Sequence, residues 1–188
     1  MALLNSAGRY GVVAKLFHWT VFLIFVNQYV TGSVMMRLGK GQAFLGYSGG
    51  ELYTWHKSAG VVVLAVVLLR IVWRKTTPLP DWADTLEDWE RAVTKWVERV
   101  LYACMILMPV SGYVFTMAGG YNFKLFGLVK LPVLIEKNAG LAAAGEWSHL
   151  IIGYMIVIAL TLHIGLGLKH HLVNKDRFLN RMLPFTKQ

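Results

Sequence analysis

Four stretches of this chain, at approximately residues 16–36, 55–74, 95–118 and 147–170, are apolar and long enough to cross a bilayer. A hydrocarbon core of about 30 Å takes about 20 helical residues. In hydrocarbon every backbone N–H and C=O needs an internal partner, so only helices or a closed barrel can span it. Nothing in these stretches alternates with the two-residue period of a barrel strand. The expected fold is therefore all-α, a membrane four-helix bundle forming a single domain over residues 1–188. Composition agrees, since 56% of the residues are hydrophobic and only 15% charged, too apolar for a soluble domain of 188 residues.

The first block does not read as a cleavable signal. It outruns a signal core, contains Asn27 and Gln28, and is followed by no small-x-small cleavage site. The single cysteine, Cys104, cannot close an intrachain disulfide, and the sequence has neither a CxxCH motif nor zinc-type Cys/His spacing. Cys104 reads as a small packing residue. The net charge of +9 gains meaning once the cations are sorted by loop, because basic residues collect on the cytoplasmic side. One side holds thirteen: Arg9, Lys15, Arg70, Arg74, Lys75, Arg91, Lys95, Arg99, Lys169, Lys175, Arg177, Arg181 and Lys187. The other holds six: Arg37, Lys40, Lys57, Lys124, Lys130 and Lys137. Both termini are thus expected to be cytoplasmic. Charge that decorates helix ends, not one interleaved patch, argues against a nucleic-acid partner.

Between the blocks, the first outer loop is short and glycine-rich. The inner connection begins with a proline turn, and Asp81 is expected to cap a helix running into the third span. The second outer loop, about 119–146, carries Tyr121, Phe123, Phe126, Leu128 and Pro132. It reads either as a cover lying on the membrane face or as a loose connector.

The histidines give the bundle its chemistry. His18 falls at the cytoplasmic start of the first span, His56 at the outer start of the second, and His149 and His163 at the outer and inner ends of the fourth. The third span has none. Two layers result, His56 with His149 outside and His18 with His163 inside. The fourteen residues from His149 to His163 rise ~21 Å and return to within roughly 40° of the same face. Two imidazoles from facing helices, with little else polar nearby, suit a flat iron macrocycle that takes one axial nitrogen on each side.

The same stride recurs. Gly32 lies fourteen residues after His18, at the level of the outer pair, and Arg70 fourteen after His56, at the level of the inner pair. An arginine there either pairs with an anion such as a haem propionate or snorkels to the interface. Gly60, Gly153 and Gly167 each follow a histidine by one turn, leaving room for a macrocycle edge or serving ordinary helix packing. His170, seven residues after His163, is the rival for the inner ligand. His163 is the expected one, because His170 and His171 stand beside Lys169 at the headgroups, where water can satisfy them.

RYG followed by FHW, HKSAG with LLRIVWR, SH opening the fourth span, and HIGLGLKHHLVNKDRFLNRML at the end together resemble the short bacterial cytochrome b561 family. The resemblance covers nearly the whole chain and is closest to the stand-alone type. It implies an inner-membrane bundle binding two haem b groups non-covalently through His18, His56, His149 and His163. It also implies passage of electrons from a periplasmic donor such as superoxide to membrane ubiquinone. Bis-histidine ligation leaves iron no open position, which favours electron transfer over oxygen chemistry. The outer cations would steer an anion inward. Lys57, adjacent to His56, is the candidate for the last guiding charge or for a propionate partner. A different class of reading makes the chain a membrane anchor and electron relay for a partner redox protein. A haem-free proton or metal transporter is a third, although no intramembrane carboxylate offers the usual relay partner.

Overall fold

The structure, a computed structural model, describes residues 2–39, 41–121, 123–176 and 178–184. Three of the counted cations, Lys40, Arg177 and Lys187, lie outside the described residues. Four helices account for most of the chain: α1 (Val12–Arg37), α2 (Gly49–Thr76), α3 (Asp88–Ala118) and α4 (Ala139–Leu168). All four are long and apolar enough to cross a membrane. Two hairpins of two-residue strands cap one end: β1 (Ala43–Phe44) with β2 (Tyr47–Ser48), and β3 (Lys124–Leu125) with β4 (Val129–Lys130). A π-helical turn, Lys169–Asn174, and a short 3-10 helix, Phe178–Arg181, follow α4 at the other end, which also holds the N-terminal segment.

All four helices start earlier than hydropathy alone indicates, three of them because side-chain caps lie outside the apolar runs. Ser48 and Glu51 form a reciprocal capping box that starts α2 at Gly49. Asn138 accepts from the Leu141 N–H at 2.9 Å and starts α4 at Ala139, so the last part of the expected loop is helix. The cap of α3 is Glu87, boxed with Glu90. Asp81 does not cap it. Its backbone N–H donates to Ala7 O at 2.8 Å and its carbonyl accepts from Arg181 at 2.6 Å, tying the α2–α3 connection to both ends of the chain.

The second loop is a cover and not a loose connector. Its turn residue Phe126 has φ +50°, uncommon for a bulky side chain. The turn is held because the Phe126 N–H donates to Ser58 Oγ at 2.7 Å and the Phe126 ring meets Trp55 edge-on at 5.3 Å.

The buried core is small: Val21, Val63, Val67 and Met105, with Ile24, Phe25, Leu101 and Tyr102 packed on it. It joins α1, α2 and α3. Leu23, Leu69, Ile158 and Leu162 instead point outward, each more than half exposed. Apolar side chains on the outside are costly in water and unremarkable in lipid. α4 packs closely along α3, and α1 along α2, whereas α4 approaches α1 and α2 much less closely. The α3–α4 contact is tightest at Gly145, where a Cβ would stand 2.7 Å from the Phe115 backbone N. Buried Cys104 sits in α3 as a packing residue.

Candidate functional site

The four histidines form two pairs that bridge the wide side of the bundle. His18 of α1 and His163 of α4 have ring centroids 6.1 Å apart at the end carrying the termini. His56 of α2 and His149 of α4 have theirs 6.3 Å apart at the hairpin end. All four rings are half-buried. α4 is one unbroken helix over both positions, so its two rings stand ~21 Å apart along the axis. Two imidazoles bonded at about 2.0–2.1 Å to opposite faces of one metal would have ring centres roughly 6 Å apart. Among the described residues no group of three or more His, Cys, Asp or Glu side chains could hold a metal ion. Each pair therefore offers two nitrogens, which suits a metal whose other ligands come from a macrocycle.

Hydrogen bonds prepare the hairpin-end pair for ligation. His149 Nδ1 lies 3.0 Å from Met108 O and 3.2 Å from Ser111 Oγ. A carbonyl only accepts, so Nδ1 carries the proton and Nε2 keeps its lone pair. Thr31 Oγ1 donates to Asn27 O at 2.8 Å and so is free to accept from His56 Nδ1 at 3.3 Å, which gives the same tautomer. Gln28 donates to the His56 carbonyl at 2.8 Å and fixes α1 against α2 at this level. Such outer partners orient metal-ligating imidazoles.

Two glycines back these rings. A Cβ at Gly32 would stand 3.3 Å from the His56 ring, and one at Gly112 would stand 3.1 Å from that of His149. Gly32 was legible from its spacing. Gly112 and Ser111 were not, because the third span has no histidine to direct attention to it. The signal was the small, polar pair after Pro109, at the depth of His149. The glycines one turn after the histidines do other work: Gly60 faces Gln28, Gly153 faces Met108, and Gly167 packs on Leu179. Gly112→Val is expected to push His149 out of place and lower cofactor content at this pair several-fold. Gly165→Ala, where a Cβ meets nothing within 4 Å, should leave the content unchanged. Cofactor quantification on both purified variants checks this.

At the other pair Arg70 stands at the expected depth, its guanidinium 3.2 Å from His18 Nδ1 and 5.5 Å from the centre of the Tyr102 ring. Arg74 stacks on the same ring and pairs with Glu98 at 2.8 Å. A guanidinium can only donate, so this contact needs an unprotonated Nδ1. Ligation through His18 Nε2 needs the opposite tautomer. Were His18 to hold a metal through Nε2, Arg70 would have to leave the ring and could then meet an anion.

His170 stands apart from the His18–His163 pair, and protein groups, not water at the headgroups, partner it. It is fully buried, with Nδ1 2.5 Å from Asp176 Oδ2 and Nε2 3.2 Å from Glu90 Oε2. Lys169 completes the cluster at 2.5 Å from Glu90 Oε1. The π-helical turn after α4 swings this ring inward, a rotation that periodicity cannot foresee. His171 is exposed. Burial pushes the Asp176 carboxyl up, but hydrogen bonds from His170, the Phe178 N–H and Thr85 outweigh it and hold the group below the ordinary carboxylate range. A depressed folded value adds stability above the unfolded value and loses it as pH falls through the folded one. Thermal stability is thus expected to drop on acidification below about pH 4, and Asp176→Asn should flatten that limb of a melting-temperature–pH profile.

Lys57 turns from the histidines toward the cover loop, its Nζ 6.0 Å from the Tyr53 ring centre and 5.6 Å from that of Tyr121.

Comparison with known proteins bears on this arrangement. The sequence model described as prokaryotic cytochrome b561 matches residues 9–185. Cytochrome b561 homolog 2 of Escherichia coli (strain K12) is 27% identical over 183 residues, covering 97% of this chain and 95% of its own. The probable superoxide oxidase CybB of Yersinia pestis is 26% identical over 171 residues, covering 89% and 91%. Cytochrome b561 homolog 1 of Escherichia coli (strain K12) is 24% identical over 137 residues, covering 70% and 74%.

Proposed function

The chain belongs to the prokaryotic cytochrome b561 family and is a multi-pass membrane protein, and on that premise we propose that it carries electrons across the bacterial inner membrane between two haem b groups. His56 and His149 would hold one haem, His18 and His163 the other. The family implies haem b; the number and the ligands are the proposal. The observation that carries it is the pairing itself, two sets of imidazoles at 6.1 and 6.3 Å, each with one member on the unbroken α4. The residues fit the group. The hairpin-end pair presents unprotonated Nε2 atoms, glycine backs both of its rings, and no third protein ligand competes among the described residues.

When bound, haem b would supply a one-electron iron couple. The chain supplies the rest. Thr31, Met108 and Ser111 orient the hairpin-end imidazoles. Arg70, released from His18, meets a propionate. Lys57 acts as the last guiding cation for an anionic donor. The four apolar helices hold both centres away from water. With eleven of the sixteen cations among the described residues at the terminus end, that end would face the cytoplasm and the hairpins the periplasm. The whole chain forms one domain.

Superoxide is the donor read here and membrane ubiquinone the acceptor. A relative named probable superoxide oxidase and the cationic hairpin end support that reading. The first test is a reduced-minus-oxidised visible spectrum with haem quantification. Two low-spin haems per chain are expected, and none would end the reading. Superoxide-dependent reduction of ubiquinone by the pure protein then separates an enzyme from a relay serving a partner redox protein, which would show no such reduction.

A further inference from the structure

A diatomic anion does not account for the shape of the hairpin end. Between the start of α2 and the base of the β3–β4 hairpin lies a cavity of about 560 Å³, whose walls include Tyr53, Thr54, Lys57, Tyr121, Phe123 and Lys124. Organic ligands occupy sites of roughly 300–1,000 Å³, whereas even a water molecule takes only about 30 Å³ of liquid. The cavity is thus an order of magnitude too large to have been shaped by superoxide.

Its chemistry is equally specific. Lys57 places an ammonium between the Tyr53 and Tyr121 rings, Lys124 brings a second cation, and none of the lining residues is acidic. Buried Phe123 gives an apolar wall. Because Ser58 and Trp55 pin the hairpin to α2, the cavity is formed before any ligand arrives. Lys57 directly follows His56, so an occupant lies beside the hairpin-end pair. Aromatic walls favour a flat ring, and two cations favour an anion.

We infer that this cavity binds a small aromatic carboxylate, its ring against Tyr53 and Tyr121 and its charge toward Lys57 and Lys124. The binding stands apart from the proposed haem function.

The test is calorimetric titration of the detergent-purified full chain with benzoate, with phenol and acetate as probes lacking the charge or the ring. Saturable one-to-one binding is expected, with both controls at least about tenfold weaker. Lys57→Met and Tyr121→Ala should each weaken it by about tenfold, with helical circular dichroism unchanged. If Lys57→Met misfolds, Lys124→Gln and Tyr121→Ala carry the same expectation. Absence of saturable binding, binding of acetate as tight as that of the probe, or variants that bind like the wild type would overturn the site. The titration needs no haem, so His149→Leu should still bind the probe, which separates failure of this site from failure of the haem reading.

Discussion

Replacing His149 with leucine should leave the purified protein with about one low-spin haem b per chain in place of two. The substitution removes one of the two nitrogens at the hairpin end and leaves the His18–His163 pair, ~21 Å along α4, untouched. His163→Leu should give the complementary loss, and the two residual spectra should sum to that of the wild type. His171→Gln, which alters an exposed ring, is the control and should keep both haems. Removing a metal-orienting partner alone typically costs 10–100-fold in affinity, so removing a ligand should cost more. Two low-spin haems surviving in His149→Leu would refute the ligand assignment.

Glu90→Leu is expected to be the most destabilising change outside the histidine pairs. Its carboxylate accepts from the Glu87 N–H at 3.0 Å, pairs with Lys169 at 2.5 Å and faces the buried His170 ring at 3.2 Å. Leucine would take away the partner of the buried His170 Nε2 and would open the cap of α3. Breaking a buried ion pair typically costs 3–5 kcal/mol. Glu90 is covered by its neighbours but lies at the rim of the bundle, and Lys169 is partly solvated, so about 2 kcal/mol is the expected loss. For a chain of this size that lowers the melting temperature by roughly 4–8 °C. Unfolding in detergent is commonly irreversible, so the comparison is made at one scan rate. Glu90→Gln keeps an acceptor and should fall between the two. A Glu90→Leu protein as stable as wild type would show that the cluster contributes nothing to holding the C-terminal segment.

That segment marks where sequence reading stopped. Beyond the His170 cluster, Lys15 Nζ donates to Leu183 O at 2.7 Å and the Trp19 indole to Met182 O at 3.0 Å. Met182 and Leu183 are thereby strapped to the first helix beside His18. Such contacts join residues more than 160 positions apart, and no local pattern announces them. Helix starts were misplaced for a related reason. Ser48, Glu87 and Asn138 are polar caps beyond the apolar runs, so hydropathy registers the membrane and not the helix.

What the amino-acid order determined by itself was everything governed by solvent and by period. Four apolar runs demand helices because hydrocarbon offers backbone groups no partner, and a stride of fourteen returns to the same helix face because of the fixed turn of the α-helix. These placed His18, His56, His149 and His163 at two depths, with Gly32 and Arg70 beside them. Only the tertiary structure decided which groups face Nδ1 of His56 and His149, that Ser111 and Gly112 of the histidine-free helix serve His149, that Arg70 touches His18, and that His170 is enclosed by carboxylates. Those outcomes depend on the rotation and approach of one helix against another, which side-chain packing fixes and a linear pattern does not encode.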